Sequence, residues 1–204
     1  MLVPLKGAKG VSMRRLAIGG PKSSGTTWIE LDDVEVPAEN LMGQEGQGMR
    51  YIMVRKSDGL KGDACSSNAS QTNFNHERLT IAISVTCQAR AALAAAFEYV
   101  MRRQAFGKTL FEQPVVRHRL AKAGAELETQ WAWVESFVYQ MCNMPKEVAD
   151  TKLGGLTALC KAKAAMVLNE CAQTAQLLFG GNGYTQSGQG EPPTKVILMM
   201  ETAC

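Results

Sequence analysis

Three short stretches of this chain hold residues able to move protons or hold anions. Asn73-Phe74-Asn75-His76-Glu77-Arg78 sets a carboxylate between an imidazole and a guanidinium. Arg103-Gln104-Ala105-Phe106-Gly107-Lys108 adds a second guanidinium beside an aromatic and a glycine, and Phe179-Gly180-Gly181-Asn182-Gly183-Tyr184 is a glycine cluster between aromatics. Each also has a plain structural reading. Glu77 suits the first turn of a helix, where the macrodipole favours acid, and Arg103 suits a helix end. His76 reads as a polar residue at a helix start, Phe106 as a core aromatic and Gly180-Gly181 as a helix cap.

Long elements must position these stretches. Over residues 75–104, Leu79, Ala82, Ile83, Leu93, Ala96, Phe97, Val100 and Met101 recur at threes and fours, with a run of alanines between them; this predicts a helix that Gly107 can end. Pro114 suits the first turn of a second helix, whose apolar line is Val116, Leu120, Ala123, Leu127, Trp131, Val134, Val138 and Met141. That near-heptad spacing suits antiparallel packing. Pro145 ends this helix and opens a third, carrying Leu153, Leu156, Cys160, Val167, Cys171 and Leu178 and stopping at Gly180-Gly181. Ahead of them Thr26–Leu31 alternates like a half-buried strand, Asp32-Asp33 reads as a turn, and Val34-Glu35-Val36 as a short strand stopped by Pro37. The expected fold is α+β: a partial β domain over 1–53, an irregular polar linker over 54–73, an incomplete up-down helical bundle over 74–191, and an unrelated tail over 192–204.

Composition narrows the class. The 204 residues are 46% hydrophobic, too apolar for disorder, and the net charge of +3 is unblocked, which gives no reason to propose nucleic acid or an anionic membrane. No apolar run reads as a membrane span. The six cysteines show no C-x-x-C, and with two histidines there is no metal-ligand spacing. They read as free thiols of a reducing, intracellular compartment, with Cys87, Cys160 and Cys171 as small core residues. The chain has no G-x-S-x-G, P-loop or dinucleotide G-x-G-x-x-G, no signal peptide at Met1–Lys6 and no peroxisomal tripeptide at its end.

Taken together, the motifs resemble the acyl-CoA dehydrogenase family. Leu31-Asp32-Asp33-Val34-Glu35-Val36-Pro37 and the Gly-rich Gly43–Gly48 match the end of its middle β domain, Arg103–Gly107 its R-x-x-F-G, and Phe179–Tyr184 its F-G-G-x-G-[YF]. The resemblance covers residues 1–53 and 73–191. It implies α,β-dehydrogenation of a fatty acyl-CoA thioester with FAD: a carboxylate removes the α proton while hydride leaves the β carbon. Most of the family carries this base in a later Y-E-G-T-like segment, which this chain lacks. The isovaleryl and long-chain branches carry it in an E-R-L-like stretch, matched by Glu77-Arg78-Leu79. Glu77 is thus the expected base. On one helix it lies about 39 Å from Arg103 at ~1.5 Å per residue, so the two ends serve different flavins.

The same resemblance makes Arg103 and Phe106 flavin contacts across a subunit interface. Gln113 lies beside a further contact position, now Pro114, and Leu177 stands where the family usually has Gln. Gly180 and Gly181 make a close backbone approach to the neighbouring flavin, and Asn75, His76 and Arg78 contact substrate. Implied partners are an acyl-CoA, an electron-transfer flavoprotein or similar acceptor, and further copies of the chain. Acyl-CoA oxidase and a non-catalytic oligomerisation remnant are the alternatives. The family's N-terminal helical domain, the first half of its β domain and its last long helix have no counterpart here. The chain therefore reads as a truncated gene model, with 54–72 and 192–204 as translated non-coding sequence, and as inactive alone.

Overall fold

The computed structural model describes residues 1–17, 25–48, 72–185 and 187–188. The expected linker over 54–71 and the tail over 192–204 lie outside the described residues, while Thr72 and Asn73, placed in that linker, open the first helix.

Three long helices dominate: α1 Thr72–Arg102, α2 Pro114–Asn143 and α3 Lys146–Phe179. Pro114 is the first residue of α2, where its missing N–H costs nothing, and the Gln113 carbonyl accepts from the N–H of Val116 and Arg117. Pro145 separates α2 from α3, its carbonyl accepting from Val148 and Ala149. Cross-helix pairs give the directions. Arg90 meets Glu128, Gln130 meets Cys160 and Cys171 meets Ala123, so α2 runs against both neighbours. Asn75 lies on Gly154 and Tyr99 on Phe179, so α1 and α3 run parallel. This is the expected up-down order.

The core forms where α1 lies on α3. Ala82, Ala89, Ala92, Ala96 and Val100 of α1 are fully buried, as are Cys160, Ala164, Cys171, Ala172 and Ala175 of α3. Small side chains on both helices suit close packing. By length and composition the helix stretch Phe74–Arg102 could cross a membrane, an 18-residue window within it having a mean hydropathy of 1.4, whereas the sequence reading expects no span; the many small alanines raise the average. Here the helix packs inside a bundle, its apolar face against α2 and α3.

Several core expectations shift. The α2 seam passes through Leu127, Gln130, Val134 and Phe137, leaving Val138 exposed, because a 3.6-residue helix drifts from a seven-residue repeat. Leu156, Phe97 and Met101 are exposed, and so is Cys87, which falls off the face set by Ala82 and Ala89. Cys160 and Cys171 are buried as expected. Between α1 and α2 an apolar groove of about 640 Å³ stays open, lined by Leu93, Phe97, Phe111, Leu120 and Leu127.

The β part is a ribbon of β1 Val11–Arg15 paired antiparallel with β2 Thr27–Leu31, in register Val11↔Leu31. Asp33, at φ 45°, turns the chain after it as expected. Two expectations fail. The second strand is exposed along its whole length, since no second layer packs on it among the described residues. Val34–Val36 is not a strand: Asp32 N–H closes on the Gly10 carbonyl, and the pairing stops there.

Candidate functional site: the two ends of α1

The far end of α1 is built by its meeting with α3. Arg103 directly follows the helix, its N–H still bonded to the Tyr99 carbonyl at 2.9 Å. The chain then makes a small hairpin, β3 Gln104–Ala105 against β4 Lys108–Thr109. The turn residues Phe106 and Gly107 have φ of 57° and 75°, the mirror-image turn that a two-residue hairpin loop favours. The sequence reading ran the helix on toward Gly107; the glycine instead makes this turn. Leu110 N–H bonds the Arg103 carbonyl at 2.8 Å and locks the base of the hairpin. A capping box follows, in which Glu112 accepts from the Thr109 N–H and hydroxyl at 3.1 and 3.0 Å. These bonds, the backbone one foremost, hold the Glu112 carboxyl below its ordinary value.

Phe106 is 96% exposed, which overturns its reading as a core aromatic. A bulky residue at positive φ is strained, and strain of this kind gathers where side chains are put on display.

α3 ends at Gly180, whose φ of 60° suits glycine, and a turn of 3-10 helix runs to Tyr184. The Tyr99 ring stacks on Phe179 at 4.4 Å between centroids, and Asn182 Nδ2 donates to the Tyr99 hydroxyl at 3.4 Å. The R-x-x-F-G and F-G-G-x-G-Y stretches thus come together at one end of the bundle. They share a cavity of about 600 Å³ lined by Glu98, Tyr99, Arg102, Arg103, Gln104 and Phe179. Arg102 is paired with Glu98 at 3.9 Å, and among the described residues Arg103 has no ion-pair partner. Gly180 and Gly181 face open space, so a ligand can approach their backbone. Gly183 has another role: a Cβ there would strike the Gln176 carbonyl. Leu177 is exposed and lacks the hydrogen bonds a glutamine would bring. Gln113 is half-buried, with its backbone engaged in starting α2.

The near end of α1 carries Glu77. His76 and Glu77 are exposed, Arg78 is half-buried near the Phe74 ring (6.0 Å to its centroid), and Asn75 is completely buried. Both ends sit on one helix that Thr72–Arg102 traverses without interruption, so the structure does not bring Glu77 and Arg103 together within a chain. Tyr99, which joins the two motifs through Phe179 and Asn182, is not among the residues the sequence reading names, and Asn182 appears there only as a motif member without a role; the available signal was a tyrosine one helical turn before Arg103.

An α+β chain with a parallel α1–α3 pair and joined arginine and glycine motifs defines a class, and comparison with known proteins names it. The acyl-CoA dehydrogenase C-terminal domain matches residues 67–200, and the chain belongs to the acyl-CoA dehydrogenase family. It is 61% identical over 191 residues to the acyl-CoA dehydrogenase apdG of Emericella nidulans, covering 94% of this chain and 40% of that protein. It is 30% identical over 190 residues to the acyl-CoA dehydrogenase AFT10-1 of Alternaria alternata, covering 92% of this chain and again 40% of that protein. A solved probable acyl-CoA dehydrogenase from Mycobacterium abscessus shares the fold, with a TM-score of 0.72 at 24% identity over 96% of this chain and 46% of that one. The chain spans about two fifths of the length of the curated relatives it matches.

Proposed function

We propose that this chain supplies the base and part of the cofactor grip of a flavin-dependent acyl-CoA dehydrogenase. The observation that carries the reading is one end of the bundle, where Arg103 and Phe179 line a cavity and the backbone of Gly180-Gly181, which follows Phe179, faces open space. That donor set fits the pyrophosphate end of a flavin dinucleotide: a planar fork for the phosphate oxygens beside glycines without side chains to block approach. Exposed Phe106 extends the same end. Bound flavin supplies the hydride acceptor for the substrate's β carbon.

Glu77 takes the α proton onto its carboxylate as the Cα–H bond breaks. The apolar, water-poor surroundings such a base needs come from outside the described residues, since Glu77 is exposed on them. His76 and Arg78, beside it, face the thioester. Because the base and the Arg103 cavity lie at opposite ends of α1, a complete site draws on more than one copy of the chain. A fatty acyl substrate and a carrier flavoprotein as electron acceptor extend this reading. Relatives named for short-chain, long-chain and glutaryl substrates share the thioester and differ in the acyl group.

In the complete flavin-bound enzyme, Glu77→Gln abolishes dehydrogenation with flavin retained. Undiminished turnover overturns the assignment, and peroxide release under oxygen marks an oxidase instead.

A further inference from the structure

We propose that Asn75 is a positioning residue for Glu77. Its buried amide, seated on Gly154 of α3, fixes the height and rotation at which the first turn of α1 presents the carboxylate. The kinetic half of this inference rests on Glu77 being the base; the docking half does not.

Two sequence oddities meet at this point. Asparagine in an opening helical turn ordinarily caps or faces water. Glycine inside a helix is disfavoured relative to alanine. Here Asn75 is 0% exposed, and Gly154 lies inside α3 against it. Asn75 Nδ2 and Oδ1 are each 3.4 Å from where a Cβ on residue 154 would stand, so the amide lies broadside on the glycine. On the same face of α1, one turn on, Leu79 is buried; on α3, Leu153 and Thr157 flank the glycine and are buried too. The Thr157 hydroxyl donates to the Gly154 carbonyl at 3.0 Å, so this polar side chain is satisfied within α3.

Helical rotation converts this seat into an aim. Each residue turns about 100°, so Glu77 lies about 200° from Asn75, on the side of α1 away from α3. The exposures follow that wheel: 75 buried, 76 and 77 exposed, 78 half-buried. The first turn of a helix has few backbone bonds of its own and frays unless docked. Seating residue 75 therefore sets the direction of residue 77. A side chain with no exposed surface is poorly placed to touch a substrate directly, so Asn75 acts through Glu77, in contrast to the contact that the family resemblance implies.

The test uses the flavin-loaded holoenzyme containing this chain, with butyryl-CoA and palmitoyl-CoA as probes. Asn75→Ala empties the seat from α1, and Gly154→Val fills it from α3. Both are expected to lower kcat about 10- to 100-fold, the scale of a catalytic group displaced by about 1 Å. KM and the flavin spectrum stay near their starting values. Gly154→Ala, whose Cβ makes only ordinary contact, keeps kcat within about twofold. Amide hydrogen exchange over residues 74–80 speeds up about tenfold in the first two variants and stays put over 90–100.

A raised KM with kcat preserved in Asn75→Ala overturns the inference in favour of direct substrate contact. Unchanged exchange in both Asn75→Ala and Gly154→Val overturns the docking. Full turnover in Glu77→Gln removes the base reading and the kinetic half with it, while the exchange result still decides the seat.

Discussion

The Tyr99 ring lies on the Phe179 ring, 4.4 Å between centroids and 26° between planes, and it is the clasp between α1 and α3 at the end where both helices finish and both motifs begin. Tyr99 also accepts from the Arg103 N–H at its backbone carbonyl and from Asn182 Nδ2 at its hydroxyl oxygen. Removing the ring should therefore loosen two motifs at once. Tyr99→Leu is expected to cost about 1–3 kcal/mol in urea unfolding of the chain, whereas Tyr99→Phe, which keeps the stack, costs under about 1 kcal/mol. Equal losses in both would place the stabilisation in the hydroxyl.

The glycines of Phe179–Tyr184 separate by mutation. A Cβ at residue 183 strikes the Gln176 carbonyl, while one at 181 meets open space. Gly183→Ala should destabilise by about 2 kcal/mol or more, and Gly181→Ala should leave the unfolding midpoint nearly unchanged. Only the second variant can then report on cofactor affinity without a folding defect.

Acid sensitivity has a defined source between α2 and α3. Lys163 reaches Glu126 across the helix pair and holds its carboxyl below the ordinary value. The carboxyl's folded pKa is depressed, so its contribution is complete above the usual value near 4.5 and is lost as pH falls through the lower folded one. Glu112, held down by Thr109, titrates in the same sense. Lys163→Met should flatten the fall in stability below about pH 4.5, measured as thermal midpoint against pH. Because both partners are substantially exposed, added salt should shrink the difference.

Thiol chemistry should follow burial. Burial pushes the Cys171 thiol up to about 11, with Glu170 and Glu126 adding to the rise, and it raises Cys160 as well. Cys87 and Cys142 are exposed. Iodoacetamide at about pH 8 should label the exposed pair in the native chain and reach Cys160 and Cys171 only after urea, as mass spectrometry of peptides can resolve. Labelling of Cys171 before unfolding would contradict the packing of α2 on α3.

The helices were legible because their signals are local. Pro114 and Pro145 start and separate helices for reasons internal to one turn, and Gly180 stops one. What depended on partners was not. Gln130 is fully buried, its Nε2 3.3 Å from the Cys160 carbonyl and its Oε1 unpaired among the described residues, and nothing in its neighbourhood of the sequence marks it as core. Val34–Val36 has the composition of a strand but no neighbour to pair with. Of the candidate site, the motif residues were found by type and order. The family resemblance makes Asn75 a substrate contact, and its burial was not legible beside that because it depends on Gly154, far along the chain and on another helix. Tyr99 went unnoticed for the same reason, since its value lies in Phe179.

Phe106 stands at the tip of its hairpin with almost all of its surface in water and its backbone in a region that suits asparagine or glycine better. Selection for the fold of this chain alone would replace it, and Phe106→Asn should raise the chain's own stability by about 0.5–1 kcal/mol. The tip aromatic is thus a cost that the fold of this chain carries rather than a support that it needs.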